Sequence, residues 1–218
     1  MKRDCVADAA DGHPVLRVRG RSGQRDLEAC VGVLAAVHEA DGYPVNWPEQ
    51  AGDWLEGDGP LGAWVAELDG RVVGHVGLAR PGAGDVAPGL WGERAGRGAE
   101  CAAVVNRLFV APDARGHGIG ALLMRRVARE ARARGRHPVL DVVSSDKSAA
   151  TLYERLGWQL LSVVEQEWQP GQRVALRCYA APVDPDALPA GSSAEEVEPC
   201  ASSAGEAGGE ADSSAAPA

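Results

Sequence analysis

The sequence predicts a mixed sheet of the α/β or α+β kind. Strand-like apolar runs alternate with segments of helical period, and two tight turns, Asp69-Gly70 and Pro170-Gly171, each join a pair of such runs. In order, Pro14 to Arg19 alternates apolar and basic residues, as a first strand does. Leu27, Val31, Leu34 and His38 recur at helical spacing and predict an amphipathic helix over 25–38. A stretch rich in turn-formers and aromatics, Asp41 to Pro48, leads to a short helix through Trp54 and Leu55. Residues 62–68 and 71–79 read as a hairpin, because Asp-Gly readily adopts the positive φ of a two-residue turn. Residues 81–99, crowded with Gly and Pro, read as a long connection of the kind more often functional than structural. A buried-type strand follows at 102–110 and ends at Ala111-Pro112-Asp113, before a helix from Gly118 to Ala133 that Gly135 stops. Residues 138–144 suit a strand, 146–156 a helix stopped by Gly157, and 158–168 and 173–180 a last pair of strands.

The chain of 218 residues has room for one folded domain and something more. From Pro182 to Ala218 the composition shifts to Ala, Ser, Gly, Pro and acid, with little apolar surface to offset the entropy of ordering. The expected division is a domain at 1–181 and a disordered acidic tail at 182–218, either a solubilising segment or a contact for a basic partner. All 22 Lys and Arg precede the tail, while eight of the 31 acids lie in it, so the domain itself is nearly neutral. Charge therefore gives no reason to expect nucleic acid or a membrane surface as partner. No apolar stretch approaches the length of a membrane span, and the N-terminus lacks a secretory core, so the expected location is cytoplasmic. The five cysteines, at 5, 30, 101, 178 and 200, form no C-x-x-C pair, and the histidines lack a ligand spacing; no metal is expected.

The strongest chemical signal is the run Arg115, Gly116, His117, Gly118, Ile119, Gly120, between a strand and a helix start. The first N–H groups of a helix have no partner within it, and its dipole adds partial positive charge. Glycine lets that backbone approach an anion closely, and Arg115 supplies a permanent cation suited to phosphate oxygens. Neither the dinucleotide fingerprint nor the P-loop ending is present. From this segment alone, a pyrophosphate site and a plain tight turn both remain open.

The run at 108–127 resembles the signature of the GNAT superfamily of N-acetyltransferases, whose Arg/Gln-x-x-Gly-x-Gly/Ala pattern is filled by Arg115, Gly118 and Gly120. A second family motif has its counterparts in Asp146, Ala149, Leu152, Tyr153, Gly157 and Trp158. The likeness extends over roughly residues 14–181, the first third in pattern only. It implies a largely antiparallel mixed sheet flanked by helices, with two central parallel strands that splay apart. It implies acetyl-CoA as co-substrate, its pyrophosphate on the backbone of Arg115 to Gly120 and its pantetheine arm along Leu108, Phe109 and Val110. Tyr153 corresponds to the family's general acid toward the sulfur. Asp146 stands where the family usually has Asn; a carboxylate there can still cap the following helix. The strand glutamate of many relatives is replaced by Val104, Val105 and Asn106, leaving Glu100 or bound water as the base.

By the same resemblance the acceptor, an amine on a small molecule or protein, enters between 38–54, the 81–99 connection and Glu165 to Trp168. Tyr43, Trp47 and Trp54 would line it, and Glu39, Asp41 or Glu165 would attract a cation. Arg125, Arg129, Arg132 and Arg136 read as a solvated helix face. The alternative to an active monomeric or homodimeric enzyme is an idle module that binds acyl-CoA as a sensor or scaffold.

Overall fold

In the computed structural model, residues 14–183 are described; the acidic tail beyond Val183, with Cys200, lies outside them, as does Cys5. Seven strands form one sheet: β1 (Leu16–Gly20), β2 (Pro60–Leu68), β3 (Arg71–Ala79), β4 (Ala102–Val110), β5 (His137–Val143), β6 (Gln159–Gln169) and β7 (Gln172–Ala180). Their order is β1-β2-β3-β4-β5-β7-β6, and every neighbouring pair is antiparallel except β4 with β5. The helices are α1 (Gly23–Asp41), α2 (Ala51–Glu56), α3 (Ala87–Ala95), α4 (Ile119–Ala133) and α5 (Lys147–Arg155). The β2–β3 hairpin turns on Asp69 and Gly70, both with positive φ (50° and 82°), as its sequence predicts.

Alternation along the strands sends side chains to both faces of the sheet, one cluster on one face and two on the other. On one face, Ile119, Leu123, Met124 and Val127 of α4 pack against Val73, Val76, Ala103, Val105, Leu140 and Tyr179. Gly74 lets α4 come close, since a Cβ there would meet Leu123 at 3.1 Å. On the other face, Cys30, Leu34 and Val37 of α1 cover Val65, Val72 and Phe109, while Trp91 of α3 covers Ala102, Val104, Val139 and Cys178. The start of α1 is pinned by Asp26, which accepts from Ser22 N–H at 2.7 Å and pairs with Arg19 of β1.

The expected 81–99 connection is corrected by α3. Its Pro88 is tolerated in the first turn, Gly96 ends it in the left-handed conformation, and Trp91 stacks on His137 at 4.6 Å. The Arg125–Arg136 series is only half solvated. Arg125 and Arg129 are exposed, but Arg132 donates to the Pro182 carbonyl at 2.7 Å, and Arg136 to the carbonyls of Glu100 and Ala102.

Candidate active site

The site begins where the two parallel strands separate. β4 and β5 pair only from Ala102 with His137 to Val104 with Val139; beyond that, β5 turns to β7 and β4 keeps only β3. A bulge drives the separation. Between the pairs His75–Phe109 and Gly77–Asn106, three residue steps on β4 face two on β3. The extra residue bends β4 and raises its local twist. Arg107 takes φ 52° there, and its displaced carbonyl is met by His75 Nδ1 at 2.9 Å. His75 is fully buried, and burial depresses its pKa to about 3, so the ring is neutral. With Nδ1–H donating to Arg107, Nε2 is left to face Arg21 Nη1 at 3.5 Å. The edge of Leu108, Phe109 and Val110 turned toward β5 therefore has no strand partner.

The resulting gap is lined by Val105, Arg107 and Leu108 of β4, Asp141 of β5, Tyr43, and Tyr153 of α5. The helix start at 115–120 lies near it, with Arg115 within electrostatic reach of Asp146, which lines the gap. Gly116 and Gly118 sit at φ 84° and 71°, and a Cβ on either would point into open space. Conformation rather than crowding requires glycine at both. The first helical acceptor is the Gly118 carbonyl, bonded by Leu122 N–H at 3.1 Å, so the N–H groups from Gly118 to Ala121 have no partner inside the helix. Ile119 is buried in the core, Gly120 meets Leu152 of α5, and His117 Nδ1 lies 3.0 Å from the Arg115 carbonyl. The Arg115 guanidinium forms an ion pair with Asp41 at the end of α1, which raises the arginine's pKa and lowers the carboxylate's.

Tyr153 is buried beside Trp158 and Tyr179, at 6.1 and 5.7 Å between ring centres. Burial, then the neighbouring Tyr43 and Asp146, push its hydroxyl well above the ordinary tyrosine range. Asp146 caps α5 by accepting from Ala149 N–H at 2.9 Å and Ser148 Oγ at 2.7 Å; both Asp146 and Ala149 border the gap. Glu100 is not brought to this place. It is exposed in the turn before β4, at the closed end of the strand pair, and the strand from Ala102 to Asn106 alone spans about 13 Å.

Two groups at the gap, and a third within electrostatic reach of them, escape a reading of sequence alone. Arg107 lies inside an apolar run that reads as a plain core strand; its one visible signal is the polar pair Asn106-Arg107 interrupting that run. Its guanidinium stacks over Trp54 of α2 at 4.9 Å. Asp141 accepts from Val86 N–H at 2.9 Å and Ala87 N–H at 3.1 Å, holding the start of α3 against β5. Burial raises the carboxyl of Asp85, which is within electrostatic reach of Asp141 and Arg107. Pairing across 55 residues leaves no local pattern to find.

Comparison with known proteins settles the family. The profile of the Acetyltransferase (GNAT) family matches residues 34–158. The chain belongs to this family. Among curated GNAT relatives, the protein named "Probable N-acetyltransferase camello" of Xenopus tropicalis is 36% identical over 97 residues, 44% of this chain and 37% of that one. An uncharacterized N-acetyltransferase of Methanocaldococcus jannaschii is 30% identical over 121 residues, 55% of this chain and 49% of the relative. The chain thus spans about half or less of the curated relatives it matches. Among solved GNAT structures, the ribosomal-protein-alanine N-acetyltransferase of Brucella melitensis aligns with TM-score 0.57 at 24% identity, over 77% of this chain and 99% of that one. The yncA protein of Salmonella typhimurium, solved with its cofactor acetyl-CoA, aligns with TM-score 0.55 at 21% identity over 80% and 97%. These likenesses establish the GNAT fold, with its parallel β4–β5 pair inside an otherwise antiparallel sheet. Among the described residues no helix is long and apolar enough to cross a membrane, and no three His, Cys, Asp or Glu side chains cluster as metal ligands.

Proposed function

We propose that this chain transfers an acetyl group from acetyl-CoA to an amine by direct attack in a ternary complex. The carrying observation is the gap between β4 and β5, lined by Tyr43, Arg107, Asp141, Asp146 and Tyr153, with Arg115 of the glycine turn within electrostatic reach of Asp146. The residues fit the coenzyme. The free N–H groups at Gly118–Ala121 suit its pyrophosphate, and the unpaired edge of Leu108–Val110 suits the amide groups of its pantetheine arm. Bound this way, acetyl-CoA would supply the thioester; the protein supplies position, which accounts for much of the rate.

The acceptor ammonium first gives up a proton. The nitrogen then bonds to the acetyl carbon, the carbon–sulfur bond breaks, and the nitrogen loses a second proton. The thiolate takes up one proton and the other goes to solvent. Tyr153, kept neutral by burial, presents an O–H donor to the thiolate. Glu100 lies in the turn before β4, at the closed end of the strand pair and away from the gap, so the amine's proton leaves by water or by Asp85. We place the acceptor among Tyr43, Trp54, Arg107 and Asp141, with a cytoplasmic setting and a monomeric or homodimeric enzyme as the working picture.

Calorimetric titration with acetyl-CoA tests the reading. Wild type should bind saturably and Gly118→Trp should not, with a cooperative melting transition, lowered only by the strain of a left-handed Trp, showing that the variant folds. Absence of binding in wild type would reduce the turn at 115–120 to a tight helix start. Mass spectrometry of an amine panel then separates a working enzyme from an idle acyl-CoA module.

A further inference from the structure

A second cavity opens beside the gap on the face covered by α1 and α2, and the two share Asn106 and Arg107. It is an open cleft of about 130 Å³, room for a small polar group rather than a whole ligand, and is lined by Arg21, Leu55, Glu56, Gly77, Leu78 and Arg107 among others. Two arginines face it. Neither takes part in any ion pair among the described residues, although seven other arginines do. Arg107 is the more telling. Its Nε is buried without a hydrogen-bond partner, and its guanidinium is wedged between Trp54 and Gly57, where a Cβ would come within 2.7 Å. Arg21 donates to the Leu55 carbonyl at 3.2 Å and faces His75, a neutral ring that leaves its charge uncancelled. Holding a largely desolvated cation without an anion is costly, and a ligand that brings the anion relieves that cost. The acids nearby do not pair with it: Glu56 and Asp58 are exposed, Asp58 and Asp85 act on Arg107 only at a distance, and Asp85 and Asp141 accept from backbone N–H groups at the loop before α3 and its first turn.

We propose that the acceptor is a small amine bearing a carboxylate, an amino acid or close relative, with its carboxylate on Arg107 and Arg21 and its amine in the gap. This rests on the acetyltransferase reading and names the substrate class of that site. An arginine fork matches a carboxylate with two parallel hydrogen bonds. Asp85 and Asp141 then offer counter-charge to the ammonium end. The transfer step is the one written above; the carboxylate takes no part in bond making and serves to orient the amine.

The test is thiol release from acetyl-CoA with the proteinogenic amino acids and their carboxamides, run on wild type, Arg107→Gln and Arg21→Gln. At least one free acid should exceed its carboxamide in kcat/KM by about tenfold or more, since an unmatched site charge is left behind in the carboxamide complex. Arg107→Gln should bring that ratio to within about threefold, acting through KM, and Arg21→Gln should move it the same way. An unchanged acetyl-CoA Kd and melting temperature in both variants would exclude a folding defect. Carboxamides acetylated as fast as the acids, or acetylation confined to amines without an acid group, would overturn the substrate assignment and leave the acetyltransferase standing. Acetyl-CoA bound normally with no free acid accepted would overturn it equally. Failure of wild type to bind acetyl-CoA would sink the acetyltransferase reading, and this one with it.

Discussion

Tyr153 and Tyr43 border the same gap, and burial raises both hydroxyls above the ordinary tyrosine range. Their places separate their roles. Tyr153 stands on α5 beside the expected sulfur position, whereas Tyr43 lies against Trp54 on the acceptor face, 6.2 Å between ring centres. Tyr153→Phe should lower kcat by roughly 10²-fold at constant acetyl-CoA Kd, the scale of a lost proton donor. Tyr43→Phe should act on the amine's KM instead, and steady-state kinetics on both variants distinguishes the two. His75 leads to a stability prediction. Unfolded, it takes up a proton near pH 6.5; folded, only near pH 3, because burial penalises the charged ring. Between those values the unfolded state holds more protons, so stability falls as pH falls, by about 1.4 kcal/mol per pH unit. From about pH 7.5 to about pH 5 the loss assigned to His75 is about 2 kcal/mol. Urea unfolding at both pH values should show that loss shrinking in His75→Gln. Arg21 and Arg107 face the ring in wild type and variant alike, and Asp85, whose raised pKa acts in the opposite sense, is common to both.

At the level of elements, α3 depends on a residue far from it in sequence. Its N-cap, Val86, has no side chain to satisfy the first N–H groups, and the Asp141 carboxylate of β5 does so instead. Asp141→Ala should cost about 2–3 kcal/mol in chemical denaturation, since it strands two N–H groups, one of them fully buried. This dependence explains what the sequence leaves obscure. The hairpin at Asp69-Gly70, the helix after Gly118 and the Asp146 cap are written in neighbouring residues, where turn chemistry and periodicity act locally. The helix over 87–95 is masked by its glycines and by Pro88, and what holds it arrives from β5. The β4 bulge is hidden for the same reason, because it exists only relative to the register of β3. The proposed coenzyme side of the site is thus legible as a contiguous motif. The acceptor side, assembled from Tyr43, Arg107 and Asp141 on three separate segments, is not.

Across the whole molecule, one exposed ion pair ties the two halves of the site together. Asp41 ends α1, and the chain runs directly from it through Gly42 to Tyr43 at the gap; its carboxylate engages Nη1 and Nη2 of Arg115 at the glycine turn. A pyrophosphate arriving at that turn meets an arginine already shared with a carboxylate. Asp41→Asn removes the competing charge, so acetyl-CoA should bind about two- to fivefold more tightly, the range set by exposed ion pairs. The gain should disappear in about 1 M salt, where screening leaves little reach to either charge. The same substitution releases the segment carrying Tyr43, so the amine's KM should rise as the coenzyme Kd falls. Calorimetry and steady-state kinetics on one variant read both changes. A weaker coenzyme Kd would instead mean that Asp41 holds Arg115 in its binding posture, and that the link between the halves works in favour of the coenzyme.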